Sequence, residues 1–336
     1  MTAPARAGGD DGSAAPAVRP SASVDLAGVR LPTPVMVASG CFGPELGHLT
    51  DLRKLGGIVS RSITLGPERG VPTPRVAETP SGLLTGTGLQ NDGLQAFVER
   101  ELPAMVRTRV PVFVSVGGFS VEEYMQLAIG LEPMAEALAA IEVNACCPSR
   151  DRDGRWFSET PEGAAEVVGA VARLTHIPVF VKLSAAVADV AKVADAAVRA
   201  GALGVTITHS LPALSVDVGS WQARLASGTG GLSGPAIRPI ALRAVREVAL
   251  ALPGTPILGV GGISTGSDAV EFLLAGAWAV QVGTALFTNP SAAVEVAQGI
   301  MRFLSDNGLG SVADVRGRLG APPVPPPAAA DAEEGA

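Results

Sequence analysis

The sequence predicts a TIM (β/α)8 barrel, and three observations carry that expectation. A short β-branched run, a polar or glycine-rich loop and an Ala/Leu helix pattern recur along the chain. Several of the runs (PVFVKL, PILGV, WAVQV) are continuously apolar, as in parallel strands covered by helices. Eight such units fit into about 300 residues, a common size for this barrel. A doubly wound open sheet uses the same alternation and is the structural competitor.

Taken in order, the expected strands are Val35–Ala38, Gly57–Arg61, Val112–Val116, Ala140–Asn144, Val179–Leu183, Gly204–Thr208, Ile257–Val260 and Ala279–Val282. Helix patterns fall between them, around 120–130, 162–174, 187–200, 236–250, 266–275 and 290–305. The 336 residues are 47% hydrophobic and 17% charged, enough to bury a large core. With 41 glycines and only 4% aromatics, that core is built from small aliphatic side chains between tight turns. A disordered chain, a disulfide scaffold and a coiled coil are excluded by this composition. Residues 1–22 and 321–336 read as disordered tails, which leaves 23–320 as one folded unit. Neither tail has a secretory apolar region or a membrane-spanning stretch.

A net charge of −7 without a Lys/Arg cluster speaks against nucleic acid or an anionic membrane as partner. Cys41, Cys146 and Cys147 contain no C-x-x-C pair, so disulfides and zinc or iron–sulfur ligation are not expected. A reducing, cytoplasmic compartment fits that usage.

In a TIM barrel the chemistry sits at the C-terminal ends of the strands. Read in order, those ends carry Ser39 and Gly40, Arg61, Ser115 with Gly117 and Gly118, and Asn144 through Cys147. The later ones carry Lys182 and Ser184, Thr208 with His209 and Ser210, Gly261 with Gly262, and Gly283 with Thr284. Turns favour Gly and Ser anyway, but that preference explains Lys182 and Asn144 poorly. Lys182 is either a residue that snorkels to the surface or a cation aimed into the barrel mouth, where it stabilises developing negative charge. Its place at the strand's end favours the second.

The glycine pairs after the seventh and eighth strands fit a phosphate site made of backbone N–H groups. The stretch GTGGLSGPAIRP (228–239) adds donors nearby but is no Walker loop, since no Lys-Ser/Thr follows its glycines. Cys147 opens a long polar loop that could act as a lid, and it is the better placed of the two adjacent cysteines for general acid–base work. Cys146 reads as structural. His209 is the one histidine at a strand end; His48 and His176 read as surface or loop residues.

Four segments together resemble one family: VNACCPS (143–149), FVKLS (180–184), SGTGGLSGPA (227–236) and GVGGISTGSDAVEFLLAGAWAVQVGTALFTNP (259–290). The chain is similar to class 1 dihydroorotate dehydrogenases, of the type that works with an electron-transfer subunit, from about Val24 to Leu319. The resemblance implies FMN as cofactor, bound by Ser39, Gly40, Ser115, Asn144, Lys182, Thr208, Gly234, Gly261, Gly262, Gly283 and Thr284. It implies Cys147 as the base that takes the C5 proton of dihydroorotate while hydride leaves C6, with Lys182 as electrostatic stabiliser. It implies Arg61, Thr85, Gly88, Leu89, Asn144, Ser149, His209 and Ser210 around the substrate. A homodimer and a flavin/iron–sulfur partner subunit are further implications.

The substrate side departs from the family pattern. Arg61 replaces a Lys, and Thr85, Ser115, Ser149 and His209 stand where the family has Asn. An Asn offers both donors and an acceptor to the amide edge of a pyrimidine, so these changes rewrite that half of the pocket. The resemblance therefore leaves room for a related FMN oxidoreductase acting on another dihydropyrimidine or small unsaturated substrate. A flavin-free lyase or isomerase and a non-catalytic flavin-binding subunit are further alternatives.

Overall fold

Eight short parallel strands close into a barrel in which every strand pairs with its neighbours in sequence and the eighth pairs with the first. The structure, a computed structural model, describes residues 20–41 and 43–320. All eight expected strands are present, the first as Val35–Val37, the second as Gly57–Val59 and the sixth as Gly204–Ile207. The open-sheet competitor is thereby excluded. Most of both expected tails lies outside the described residues, but Ser21 donates its amide to Gly310 O (2.7 Å).

The helices follow the expected pattern: Val121–Leu131, Pro161–Ala172, Val190–Arg199, Arg238–Ala251, Gly266–Ala275 and Ala292–Asp306. Their starts are set by side-chain caps. Ser120, Thr160, Asp189 and Thr265 each accept an amide hydrogen bond from the residue three further on. The apolar stripe of each helix packs on the outer face of the strands, as Val167, Val168 and Val171 do. Each such side chain contributes about 1.5–3 kcal/mol on burial.

Regular alternation fails at the first unit. Among the described residues, the first and second strands are joined by two 3-10 turns, Pro44–Leu46 and Leu52–Lys54, with no α-helix. Gly40, Gly43 and Gly47 in that stretch interrupt any helical apolar stripe. A helix unmarked by the sequence reading covers the second unit, running from Gly93–Ala96 through a π segment to Leu102–Val106.

Three antiparallel additions complete the chain. A hairpin, Val24–Leu26 with Val29–Leu31, shares a cleft with Val110–Val112 at the N-terminal end of the barrel. At the mouth, Leu211–Ala213, Gly230–Ser233, Gly82–Thr85 and Val76–Thr79 form a four-stranded sheet that joins the loops of the second and sixth units. A two-residue ladder, Val216–Asp217 with Gln222–Ala223, projects beyond it. No helix among the described residues is long and apolar enough to cross a membrane.

Candidate active site

Asn144 ends the fourth strand and stands in register with Lys182 on the fifth. Its Nδ2 donates to Ser62 Oγ (3.0 Å), and Ser62 Oγ lies 2.8 Å from Ser115 Oγ. Asn144 Oδ1 accepts the Cys146 amide (3.2 Å), which fixes the turn that carries the two cysteines. Tyr124 Oη donates to Asn144 O (2.6 Å) from the helix behind it. Ser60 Oγ accepts the Ser115 amide (2.9 Å), and Ser39 Oγ donates to Ser60 O (2.7 Å). The first four strand ends are thus tied together by small hydroxyls.

Cys147 is buried, and a Cβ on Gly117 would come 3.1 Å from its Sγ, 3.5 Å from Leu89 Cδ1 and 3.6 Å from Ser62 Cβ. The absent side chain at Gly117 therefore opens a small space bounded by Cys147, Leu89 and Ser62. Burial pushes the Cys147 thiol up to about 11, opposed by Tyr124 and by the Gly118 amide. Cys146 Sγ instead contacts Ser158 Oγ (3.3 Å) and Lys182 O (3.7 Å), and burial raises it to about 12. Cys146 holds the loop, as expected from its position.

Lys182 does not snorkel. Only 8% of its side chain is exposed, and the nearest carboxylate oxygen, Glu142 Oε1, is 3.8 Å from Nζ. Among the described residues its ammonium donates no hydrogen bond, so a buried cation with uncommitted donors stands at the strand end. Its charge is felt widely: it counteracts the burial-driven rise of Cys41 and adds to the downward shift of His209.

The glycine-rich loops of the last three units meet at the mouth. Gly262 has φ +76°, and a Cβ there would come 2.8 Å from Gly234 O and 2.8 Å from Arg238 Cβ. A Cβ on Gly234 would sit 3.4 Å from Thr284 Cγ2, so the loops after the sixth, seventh and eighth strands touch. Thr284 Oγ1 donates to Ser233 Oγ (2.9 Å). Among the described residues the amides of Gly261, Gly262, Gly283 and Thr284 are engaged by no carbonyl. Free amides on loops this closely packed fit a phosphate group.

Among the residues expected around a substrate, Thr85 pairs with Gly231 across the mouth sheet, and a Cβ on Gly231 would lie 2.1 Å from Ser210 Oγ. Gly88 and Leu89 follow with φ of +68° and +55°. His209 Nδ1 lies 3.2 Å from Ser210 Oγ, and its ring meets Trp156 edge-on. Burial, then the charge of Lys182, lowers His209 to about 4. Ser149 is buried in the loop and donates its amide to Arg155 O (2.9 Å). Thr208 Oγ1 accepts the Ala185 amide (2.7 Å) at the sixth strand end. Arg61 stands apart. Its side chain is half exposed, 3.7 Å from Glu101, and lines a cavity of about 700 Å³ with Gly40, Ser60 and Met105.

Sequence reasoning missed Ser62, Tyr124, Glu142, Gln281 and Asn91. Asn91 is the pin of the second loop: Oδ1 accepts the Thr64 and Gly93 amides (3.1 and 2.8 Å) while Nδ2 donates to Leu89 O (2.7 Å). No group of three His, Cys, Asp or Glu among the described residues could hold a metal ion.

A closed parallel barrel with free amides on its last two loops, a buried lysine at its fifth strand end and a buried thiol on the loop after its fourth strand defines the class, a TIM-barrel enzyme. The dihydroorotate dehydrogenase family model matches residues 21–304. A dihydroorotate dehydrogenase B (NAD(+)) catalytic subunit of Geotalea daltonii is 46% identical over 303 residues, covering 90% of this chain and 99% of its own. The subunit so named in Geobacter sulfurreducens is 44% identical over 303 residues with the same coverage. The chain belongs to the dihydroorotate dehydrogenase family, class 1, type B. Membership sets aside the flavin-free lyase or isomerase.

Proposed function

We propose that the chain is the catalytic subunit that oxidises dihydroorotate to orotate in pyrimidine biosynthesis, a CH–CH oxidoreductase reaction, with FMN in the barrel mouth. The observation that carries this reading is the register of Asn144 with the buried Lys182, at the strand end whose following loop holds the buried Cys147 thiol. The phosphate would lie on Gly234, Gly261, Gly262, Gly283 and Thr284, and the ring system against Ser39, Gly40, Ser115, Asn144 and Thr208.

When bound, FMN supplies the acceptor for the hydride that leaves C6. Cys147, as thiolate, takes the proton from C5, so the substrate loses one proton and one hydride. Lys182 supplies positive charge on the side where negative charge accumulates. Asn144 orients the ring through an amide that Ser62 and the Cys146 amide already hold. Thr85, Gly88, Leu89, Ser149, His209 and Ser210 bound the substrate, and Arg61 offers a cation for its carboxylate.

The relatives are named as NAD(+)-linked catalytic subunits, which supports a partner subunit that carries electrons onward through its own flavin and iron–sulfur centre. A homodimer in the cytoplasm completes the proposal.

Anaerobic titration of the purified yellow protein tests the reading. Dihydroorotate bleaches the flavin and dihydrouracil does not. An intact flavin left unbleached by dihydroorotate overturns the substrate assignment. A second reading, another dihydropyrimidine as substrate, is favoured by Thr85 and His209 replacing asparagines, and the same titration decides it.

A further inference from the structure

The barrel interior holds a charged residue that the reaction above does not use. Glu142 lies on the fourth strand with no exposed surface, two residues nearer the strand's start than Asn144. Its Oε2 accepts hydrogen bonds from Thr206 Oγ1 and Gln281 Nε2, both at 2.9 Å. These three residues come from the fourth, sixth and eighth strands, so they form one inward layer of the barrel. Glu142 Oε1 has no hydrogen-bond partner and lies 3.8 Å from Lys182 Nζ; Gln281 Oε1 is buried and unpartnered as well.

A buried carboxylate without a counter-charge is costly, and so is a buried ammonium. Lys182 is the cation nearest to Glu142, and its side chain is 8% exposed. We infer that Glu142 is a positioning residue: it is the counter-ion that holds the Lys182 ammonium at the fifth strand's end. Thr206 and Gln281 fix the carboxylate by occupying Oε2, which leaves Oε1 toward the lysine. Glu142 sits deeper than Lys182, so its effect on the mouth runs through the lysine rather than directly.

The inference rests on the flavin reading, and the test separates the two. The midpoint potential of bound FMN is measured in wild type, Glu142→Gln, Lys182→Met and the double variant. Glutamine keeps the shape and both hydrogen bonds to Oε2. Glu142→Gln lowers the potential and slows flavin reduction about tenfold or more, and adds nothing in the Lys182→Met background. An unchanged or raised potential, or a shift that persists without Lys182, overturns the inference while leaving the flavin reading intact. Protein that binds no flavin overturns the flavin reading itself. If Glu142→Gln fails to fold, Thr206→Val serves: it removes one hydrogen bond and keeps both charges. It lowers the potential by a smaller amount, and no shift there overturns the inference.

Discussion

The indole of Trp156 meets the imidazole of His209 edge-on, with ring centroids 6.0 Å apart and planes at 69°. Trp156 belongs to the polar loop opened by Cys147, and His209 ends the sixth unit's strand, so this contact closes the loop onto the far side of the mouth. Pro148 and Trp156 pair in an isolated antiparallel bridge, which makes the loop a compact flap. Trp156→Ala removes an aromatic contact worth about 1 kcal/mol, a roughly fivefold rise in KM for substrate with kcat little changed. Steady-state kinetics check it.

His209 is held low, at about 4, by burial and by the charge of Lys182. The sign is that of a base whose neutral form is favoured. His209 is uncharged through the physiological range and gains a proton only as pH falls toward 4. Orotate affinity is therefore flat in pH from about 5.5 to 8 as far as His209 is concerned. His209→Asn keeps a donor and an acceptor at the strand end and retains affinity, whereas His209→Ala weakens binding by about 1–3 kcal/mol. Isothermal titration with orotate at several pH values measures both.

Cys147 is shifted the other way. Burial favours the neutral thiol, so the thiolate is scarce at neutral pH and grows about tenfold per pH unit toward a midpoint near 11. Alkylation of the substrate-free protein by iodoacetamide at this residue, read by mass spectrometry, rises with pH on that slope. Cys147→Ala slows flavin reduction by dihydroorotate by roughly 10²–10⁴. Full reduction rates in that variant would remove Cys147 as base.

Gly262→Ala tests the anion site. A methyl group there would lie 2.8 Å from both Gly234 O and Arg238 Cβ, in a backbone conformation with φ +76°. Arg238 is itself held by an ion pair with Asp268 and cannot easily give way. The loop must shift, and the free amides lose their common direction. The variant purifies with little flavin, whereas Gly254→Ala, at φ +90° with open space around it, keeps its flavin. Absorbance of the purified proteins in the visible reads the difference.

The strand ends were legible because their residue types are unusual there: a lysine inside VFVKLS and glycine pairs after two apolar runs. Glu142 was hidden because its partners lie 64 and 139 residues away, and only barrel closure brings them together. Ser62 and Asn91 are common loop residues whose importance comes from the hydroxyls and amides they meet. Arg61 stood at the right strand end, yet its side chain leans toward Glu101, a residue of the helical stretch that the sequence reading left unmarked. The mouth sheet was missed for a related reason. Its strands are three or four residues long and drawn from different loops, so none shows enough alternation to be recognised alone.

The hairpin beyond that sheet carries the homodimer proposal. Val218 is 84% exposed and Trp221 86%, with Leu214 and Val216 also exposed beside them. Asp217 fixes the turn by accepting the Gly219 amide (2.8 Å), and Trp221 donates its own amide to Asp217 O (2.8 Å). The tryptophan is thus held outward on an ordered turn. Isolated exposed apolar residues need no explanation, but four within eight residues on a projecting ladder form a patch that water disfavours. A second copy presenting the same patch would cover it across a two-fold axis. Val218→Asp combined with Trp221→Asp leaves the barrel core untouched, so the thermal unfolding midpoint of the monomer unit stays near that of the wild type. Two carboxylates placed in the interface repel their symmetry mates. Sedimentation velocity then shows the wild type as a dimer and the double variant as a monomer at the same concentration, and a double variant that remains dimeric removes the hairpin from the interface.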